Sequence, residues 1–474
     1  MSAFTRRGLL RRGGAAAAGA GVLGSLATAP RAGAKLGDDR ARGALLVVLP
    51  LVRADHVDAF EGGAPADTPN LNELTKSSLR FDRAIPESMP ALSARRSLVT
   101  GMRAFPFRDW RRLEGFPAVP GFNPVWDHQP LLMEQTRGAG IETIYVTDNP
   151  VFEGERFRDV RRPGGSPSGE LGSGIDGELL ASFKRLTDAT RRTVGAGVQA
   201  LREVRDGNPF LVAVDPFDPA DAYAAPPFYV KHVEAVDSEL GKLLDAVPDD
   251  TVVFVLGDHG LALGEHGYIG RAAPTSHRSS YEIPYLIRHP GGEKSGDDVD
   301  WYATTHDVAP TLLSFLGVPI PGKMRGEDLT ALFDDVDEDD LPDRPKSITA
   351  VGSQIIIRDR RWLVVADRER IVRRMFDDDE EVEDDITRFD NIANEDTGKL
   401  TELSLASVLV ADGTLPEFGP DGALRPPRAR GDDDTDDDGI PNDFDAFDND
   451  EPEDGTTKEH LEFDGRVPEG GQLP

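Results

Sequence analysis

The segment Thr251-Val-Val-Phe-Val-Leu-Gly-Asp-His-Gly260 indicates the class of fold most directly. Its first six residues are uncharged and rich in valine, which predicts a strand buried on both faces. The glycine-flanked Asp258-His259 predicts a turn at the carboxyl end of that strand. Four more apolar runs of similar length predict further buried strands: Ala44–Leu49, Ile141–Val146, Phe210–Val214 and Ile283–Ile287.

Segments with helical spacing of apolar residues lie between the predicted strands. In the first, Thr68 stands as a capping residue and Pro69 at the first helical position, which is a typical helix start. Strands that alternate with helices predict an α/β domain, with a mostly parallel mixed sheet sandwiched by helices. Sites in such sheets form at the carboxyl ends of the strands. The other predicted helices are Leu131–Arg137, Gly177–Arg205, Phe228–Val247 and His306–Leu316.

The composition excludes several classes of site and partner. The 474 residues include 85 acidic and 53 basic side chains, a formal net charge of −32, and no cysteine. Without cysteine the chain forms neither disulfides nor thiolate zinc sites, and it has no cysteine nucleophile. The acidic excess argues against a nucleic acid or an anionic membrane as partner, because both carry the same sign of charge.

The first 34 residues contain the three parts of an export signal in order. Arg6-Arg7 precede an apolar stretch rich in alanine and glycine, Ala15–Ala29, and small residues follow at Ala32-Gly33-Ala34. This pattern resembles a twin-arginine signal peptide and predicts an exported protein, placed outside the cell, at its surface or in the periplasm. The apolar stretch is too short to span a bilayer, so no transmembrane segment is expected. The alternative is a disordered leader without a targeting role.

The sequence pattern changes beyond Gly322. Two short apolar runs, Gln354–Arg358 and Trp362–Ala366, straddle a short turn and predict an antiparallel hairpin in a small α+β subdomain. A segment with three prolines and three arginines then predicts a linker. The predicted parts are a signal peptide (1–34), an α/β domain (35–322), a C-terminal subdomain (323–416), a linker (417–430) and an acidic tail (431–474).

Six segments, in chain order, resemble the sulfatases of the alkaline phosphatase superfamily. Ala91-Leu-Ser-Ala-Arg95, followed by Ser97-Leu-Val-Thr-Gly101, resembles the nucleophile segment of the family. Val255-Leu-Gly-Asp-His-Gly260 resembles its second metal-binding segment. The resemblance implies an alkaline phosphatase-like fold for the α/β domain and its subdomain. The remaining matches are Thr68–Leu74, Leu263–Gly267, Ile287–Gly292 and His306–Leu313.

The resemblance also implies a chemistry. Sulfatases hydrolyse sulfuric, or in related enzymes phosphoric, monoesters with a divalent cation, usually calcium, and a nucleophile at the head of a helix. It places Asp258 and His259 as ligands of a divalent cation in the core, calcium in the first place. It places Arg95 and Arg271 as groups that bind the substrate anion. The partner it implies is a sulfated or phosphorylated small molecule or glycan.

The chain departs from the family pattern where the chemistry occurs. Ala91 stands at the nucleophile position, and Pro50 and Leu51 stand where the family carries its first metal acids. Alanine has no group that can attack sulfur. The sequence therefore predicts a degenerate, non-catalytic protein that binds an anion or serves at a surface. The alternative is an active sulfate or phosphate ester hydrolase with a rebuilt site and Ser88 or Ser93 as nucleophile, so whether the chain is an enzyme stays open.

Structural roles are the alternatives for the retained residues. Asp258-His259 can form a strand-end turn in which the acid caps the next segment. Arg95 and Arg271 can form ion pairs with some of the many acids. A purely structural or adhesive surface protein is a third class of function, and it rests mainly on the tail.

The tail has the spacing of a calcium-binding loop. Asp434, Asp436, Asp438 and Asp445 stand at relative positions 1, 3, 5 and 12, and Gly439 stands at position 6. Alternate acids converge on one ion while the glycine permits a tight turn. The segment resembles a thrombospondin type 3 repeat and predicts calcium bound in the tail. The alternative is an acidic disordered tail that keeps the protein soluble.

Overall fold

The computed structural model of the chain describes most of the residues from 41 to 377. The predicted signal peptide, Arg271 and the acidic tail lie outside the described residues, and the predictions about them stay predictions. None of the helices in the described segments combines the length and the apolar character that a membrane crossing requires. The described residues are 41–89, 91–103, 129–149, 152–163, 175–204, 207–217, 226–263, 269–270, 278–334, 346–351, 354–359, 362–367, 373–377, 400, 403, 417–418 and 424–425.

In the described residues, strands and helices alternate along the first two thirds of the chain, and mostly strands follow. The α-helices are α1 (Pro69–Thr75), α2 (Ala91–Thr100), α3 (Leu132–Gly138), α4 (Ile175–Glu203), α5 (Pro226–Leu244) and α6 (Val308–Phe315). The strands are β1 (Gly43–Leu49), β2 (Leu79–Phe81), β3 (Ser88–Met89), β4 (Glu142–Thr147), β5 (Val160–Arg161), β6 (Phe210–Asp215), β7 (Thr251–Gly257), β8 (Ala262–Leu263), β9 (Ile269–Gly270), β10 (Tyr285–Arg288), β11 (Asp298–Val299), β12 (Lys346–Val351), β13 (Gln354–Asp359), β14 (Trp362–Asp367), β15 (Arg373–Asp377), β16 (Glu417–Phe418) and β17 (Leu424–Arg425).

Eight strands form the main sheet, in the order β11-β2-β10-β7-β1-β6-β4-β5. β1 runs parallel to both of its neighbours, β6 and β7, and β4 runs parallel to β5 and β6. β10 is antiparallel to both of its neighbours. The predicted α/β class, with a mostly parallel mixed sheet between helices, is therefore confirmed.

The five predicted strands of the main sheet are all present, and β10 has the largest shift of its start. The run Ile283–Ile287 was expected to be extended throughout, but β10 begins at Tyr285. Pro284 precedes that residue, and because proline has no N–H group it cannot donate to a strand ladder. Instead, the carbonyl group of Pro284 accepts a hydrogen bond from the N–H group of Gly257.

A second sheet of five strands has the order β15-β14-β13-β12-β3. The predicted hairpin is confirmed, since β13 and β14 pair antiparallel from Gln354↔Asp367 to Arg358↔Leu363. β3, Ser88–Met89, ends one residue short of α2 and pairs parallel with β12. The smaller sheet therefore reaches back to the residues that lead into α2.

Each face of the main sheet packs against its own set of helices. Along β1, alternate residues point to opposite faces. Leu45, Val47 and Leu49 pack with the apolar sides of α1, α4 and α5. Ala44, Leu46 and Val48 pack with α2, α3 and α6. The sheet is thus covered on both sides, and the carboxyl ends of its strands stay at one edge.

The start of α1 is capped differently from the prediction. Thr68 is the residue before the helix, but its side chain makes no capping hydrogen bond. The carboxylate of Asp237, on α5, accepts hydrogen bonds from the N–H groups of Asn70 and Leu71 at 3.2 and 2.8 Å. A negative charge at a helix N-terminus is favourable because the free N–H groups lie there. The sequence could not show this partner, because it comes from another helix.

Two glycines on α4 provide a matched pair for testing the helix packing. Gly195 is exposed and a Cβ atom there would meet nothing within 4 Å, whereas at Gly197 it would lie 2.5 Å from Val214 Cγ2. We expect Gly195→Ala to raise the free energy of unfolding by about 0.5–1 kcal/mol, because alanine favours the helix. Gly197→Ala should lower it by about 1–3 kcal/mol through overpacking. Urea denaturation followed by circular dichroism measures both, and equal effects would contradict the described contact between α4 and β6.

Candidate functional site

Three neighbouring parallel strands end at the same edge of the main sheet. β6 ends at Asp215, β7 is followed directly by Asp258, and β1 between them is followed by Pro50 and Leu51. Helix α2 begins beside this edge, and it carries Arg95 one turn after its first residue. The residues that follow these strands, with the first turn of α2, form the candidate site.

Arg95 joins the two acids of the site. Its Nε donates to Asp215 Oδ1 at 2.8 Å, and one terminal nitrogen donates to Asp258 Oδ2 at 2.7 Å. The other terminal nitrogen donates to the carbonyl oxygen of Pro216 at 2.9 Å. All three charged side chains are buried, with 1%, 0% and 3% of their surface exposed for Arg95, Asp215 and Asp258. Buried ion pairs of this kind need both charges and full hydrogen bonding to be tolerated.

The remaining carboxylate oxygens also have donors. Asp258 Oδ1 accepts from the backbone N–H groups of Leu51, at 2.7 Å, and His259, at 2.8 Å. Asp215 Oδ2 accepts from the hydroxyl group of Tyr145 at 3.0 Å. All four oxygens of the two carboxylates are therefore bonded to donors of the protein itself.

These contacts move the pKa values of the two acids in opposite directions. Burial by itself would raise the pKa of Asp258, but the charges of His259 and Arg95 bring it below its ordinary value. Burial raises the pKa of Asp215, and Arg95 and Tyr145 offset this only in part. Asp258 is thus the acid that stays ionised to lower pH, because more donors and charges favour its carboxylate form.

The loop after β1 has an unusual backbone. Leu51 has a positive φ of 57° and is buried. A left-handed conformation is unfavourable for leucine, so surrounding contacts must hold it. Its N–H group is held by Asp258, and its carbonyl oxygen accepts from the hydroxyl group of Tyr229 at 2.6 Å. His232 Nε2 lies 2.8 Å from the carbonyl oxygen of Pro50, so the loop is fixed from α5 as well as from β7.

The described residues of this edge do not by themselves provide the ligands of a hard divalent cation. Such an ion takes six or more oxygen ligands. Both oxygens of Asp258 accept from protein donors, and His259 directs Nδ1 to the carbonyl oxygen of Gly260 at 2.6 Å. In the described part of the chain, no group of three or more acidic or histidine side chains is arranged to hold a metal ion. Ligation of a cation by Asp258 and His259 stays a prediction. His259 Nε2 has no hydrogen-bond partner among the described residues and is open to a ligand, whereas the oxygens of Asp258 would have to share or exchange their present donors.

The predicted nucleophile candidates lie around the start of α2. Ala91 is the first residue of the helix, Ser88 lies on β3, and Ser93 lies in the first turn. The Oγ atoms of both serines are buried and have no hydrogen-bond partner among the described residues, and the same holds for His259 Nε2. The predicted role of Arg95 in anion binding stays a prediction, since most of its donors are already engaged.

Sequence reasoning missed several groups of the site. Asp215 follows a predicted strand, so its position at the sheet edge was a usable signal. Tyr145 lies inside β4, and Tyr229 lies in α5, where nothing in the local sequence distinguishes a packing residue from a hydrogen-bonding one. The predicted structural role of Arg95 as an ion-pair partner does agree with the geometry, although the pair is buried instead of exposed.

Known proteins resemble this chain in sequence and in fold. The family model Sulfatase matches residues 180–318, which include Asp215 and Asp258. A 2,3-bisphosphoglycerate-independent phosphoglycerate mutase from Natronomonas pharaonis is 33% identical over 180 residues, 38% of this chain and 32% of that protein. An N-acetylglucosamine-6-O-sulfatase from Bacteroides thetaiotaomicron is 32% identical over 115 residues, 22% of this chain and 20% of that protein. The chain thus spans a third or less of these curated relatives in the aligned segments.

Solved structures share the architecture over a larger part of the chain. The phosphonate monoester hydrolase of Agrobacterium radiobacter superposes with a TM-score of 0.56 at 17% identity, covering 82% of this chain and 100% of that chain. At this identity the likeness shows the fold. Residues 180–318 of the chain are thus similar to the sulfatase family, and most of the chain shares the fold of sulfatases and of a phosphonate monoester hydrolase.

Proposed function

We propose that this chain is an exported, non-catalytic member of the sulfatase family, which binds a sulfated or phosphorylated small molecule or glycan without cleaving the ester. The observation that carries the non-catalytic part is Ala91 at the head of α2, where the family places its nucleophile. A methyl group can neither attack sulfur or phosphorus nor be activated by a base. The lost acids at Pro50 and Leu51 point in the same direction.

The same helix start supports binding. The first N–H groups of an α-helix have no partner within the helix and favour an anion. α2 is ten residues long, and Ser93 in its first turn has a buried Oγ atom without a partner among the described residues. A hydroxyl group in this position can donate to a sulfate or phosphate oxygen. The anion would then be bound mainly by neutral donors.

Relatives suggest which ligands to test first. The names of two similar proteins, an N-acetylglucosamine-6-O-sulfatase and a phosphonate monoester hydrolase, refer to an amino-sugar sulfate and to phosphonate esters. Export through the twin-arginine signal, and calcium in the tail at Asp434, Asp436, Asp438 and Asp445, belong to the same proposal. A sulfated glycan outside the cytoplasm is the ligand class that these features favour together.

The second candidate function is an active ester hydrolase. The observation in its favour is that the Oγ atoms of Ser88 and Ser93 are buried and unpartnered within the described residues, as a nucleophile before substrate binding can be. Against it, no described acid or histidine is hydrogen-bonded to either hydroxyl group, although a serine nucleophile needs an adjacent base.

The test measures binding and turnover on the same preparation of the full chain. We expect N-acetylglucosamine 6-sulfate or inorganic sulfate to bind in isothermal titration calorimetry. We also expect aryl sulfates and aryl phosphates, with and without calcium or manganese, to show no turnover above a heat-denatured control. Ser93→Ala should weaken binding about 10- to 100-fold, the loss of one hydrogen bond to a charged group.

The opposite outcomes are equally informative. Turnover that is abolished by Ser93→Ala or Ser88→Ala would establish the hydrolase and overturn the non-catalytic proposal. If no sulfated, phosphorylated or inorganic anion binds at millimolar concentration, the binding proposal is wrong and a structural role at the cell surface remains. Thr75→Ala, a change in α1 away from α2, is the control for unspecific effects on binding.

A further inference from the structure

We infer that the guanidinium group of Arg95 takes the place of the divalent cation in the core of this chain, so that the carboxylates of Asp215 and Asp258 are held together without a metal. This inference goes beyond the proposed function, because it concerns how the fold neutralises its buried acids and not what the chain binds. Three observations on the surroundings of Arg95 support this inference.

The first observation is that four of the five N–H donors of the guanidinium group are hydrogen-bonded within the described part of the protein. Nε and one terminal nitrogen bind the two carboxylates, and the other terminal nitrogen binds the carbonyl oxygen of Pro216. The carbonyl oxygen of Ala91 accepts a further bond at 3.2 Å. The ring of Phe217 lies 5.0 Å from the central guanidinium carbon, within the range of a cation–π contact. The cation is thus enclosed by acceptors and an aromatic ring.

The second observation is the nature of the loop after β1. The family pattern places carboxylate acceptors there, facing a metal ion. In this chain the backbone N–H group of Leu51 points to Asp258 Oδ1 instead. A donor in this place stabilises the carboxylate and repels a cation, so the loop is complementary to an acid that already has its counter-ion. The left-handed backbone of Leu51 is the conformation in which this bond forms.

The third observation concerns the one negative charge that the guanidinium group of Arg95 leaves unbalanced. Two carboxylates face one guanidinium group in a region from which water is almost excluded. The second negative charge is distributed over hydrogen bonds from the N–H groups of Leu51 and His259 and from the hydroxyl group of Tyr145. Burial of a charge without such partners is strongly unfavourable. The described hydrogen-bond donors therefore stabilise the second buried negative charge, so that no metal ion is needed for this purpose.

The main experiment compares thermal unfolding of the full chain and its variants in EDTA and in millimolar calcium or manganese. Arg95→Met removes the charge but keeps much of the side-chain volume. In EDTA it should lower the unfolding midpoint by about 10 °C, the shift expected when one partner of a buried ion pair is lost. Calcium or manganese should then raise the midpoint of Arg95→Met by several degrees more than that of the wild type, because an ion can occupy the vacated place.

Two variants serve as controls. Arg95→Lys keeps the charge with fewer directed donors, so its midpoint should lie between those of the wild type and Arg95→Met, without the metal response. Arg96→Met removes the neighbouring arginine of α2, which is also buried, with 3% of its surface exposed. It should show a smaller loss in EDTA and no additional stabilisation by metal. The acidic tail is the same in all of these chains, so its own response to calcium cancels.

A second measurement covers the case that Arg95→Met does not fold. The full chain with Asp434→Asn, Asp436→Asn, Asp438→Asn and Asp445→Asn lacks the four predicted tail ligands and keeps the core. Elemental analysis after dialysis against micromolar calcium and manganese should find no stoichiometric divalent ion in this variant. About one retained ion per chain would overturn the inference, and so would an Arg95→Met variant that is as stable in EDTA as Arg96→Met.

Discussion

Replacing Asp258 with alanine is expected to lower the free energy of unfolding by about 3–5 kcal/mol, the usual cost of breaking a buried ion pair from one side. The carboxylate accepts from three donors at 2.7–2.8 Å: one terminal nitrogen of Arg95 and the N–H groups of Leu51 and His259. Alanine leaves all three without this acceptor. The two backbone groups add their own cost, because a buried N–H group without a partner is unfavourable. Urea denaturation followed by far-ultraviolet circular dichroism measures the loss.

Asp258→Asn separates the charge from the hydrogen bonds. The amide oxygen of asparagine can still accept from the N–H groups of Leu51 and His259, whereas the amide nitrogen would face Arg95 as a second donor. We therefore expect a smaller loss of stability than for Asp258→Ala. Ordinary surface substitutions change the free energy of unfolding by less than about 1 kcal/mol. If Asp258→Ala loses no more than that, Asp258 does not bind Arg95, Leu51 and His259 as described.

The strands and the position of the site were predictable because both depend on local patterns. Runs of uncharged β-branched residues make buried strands wherever they occur, and parallel strands bring their carboxyl ends to one edge. Asp215 and Asp258 follow two such runs, so their proximity follows from the alternation of strands and helices. β10 starts at Tyr285, two residues after the start of the apolar run, because Pro284 has no N–H group to donate to the ladder.

The partners within the site were not predictable in this way. Arg95 is 120 residues from Asp215 and 163 residues from Asp258, and its contacts depend on how α2 lies over the edge of the sheet. Spacing along the chain carries no information on that placement. Leu51 is a further case, because leucine disfavours a left-handed backbone. Its N–H group donates to Asp258 and its carbonyl oxygen accepts from Tyr229, and these bonds hold it in that conformation. Tertiary contacts determine both the partners of Arg95 and the backbone conformation of Leu51.

Gly260→Ala is the second change with a large expected effect. Gly260 follows Asp258-His259, and its N–H group donates to the carbonyl oxygen of Ser280 at 3.0 Å. A Cβ atom at this position would lie 1.9 Å from the carbonyl oxygen of Ser279, which is backbone and cannot rotate away. We expect the free energy of unfolding to fall by about 3 kcal/mol or more, at the upper end of overpacking costs, since two backbone segments must separate.

The effect of Gly260→Ala should also reach the ion pair, because the glycine fixes the turn that orients Asp258. Its carbonyl oxygen accepts from His259 Nδ1, and the N–H group of Leu261 binds the same Ser279 oxygen that a methyl group would displace. Gly62→Ala is the matched control: Gly62 is exposed, and a Cβ atom there would meet nothing within 4 Å. That variant should unfold within about 0.5 kcal/mol of the wild type. Equal stability of the two variants in urea would mean that the segment after β7 does not lie against residues 279–280, and the geometry described around Asp258 would then be wrong.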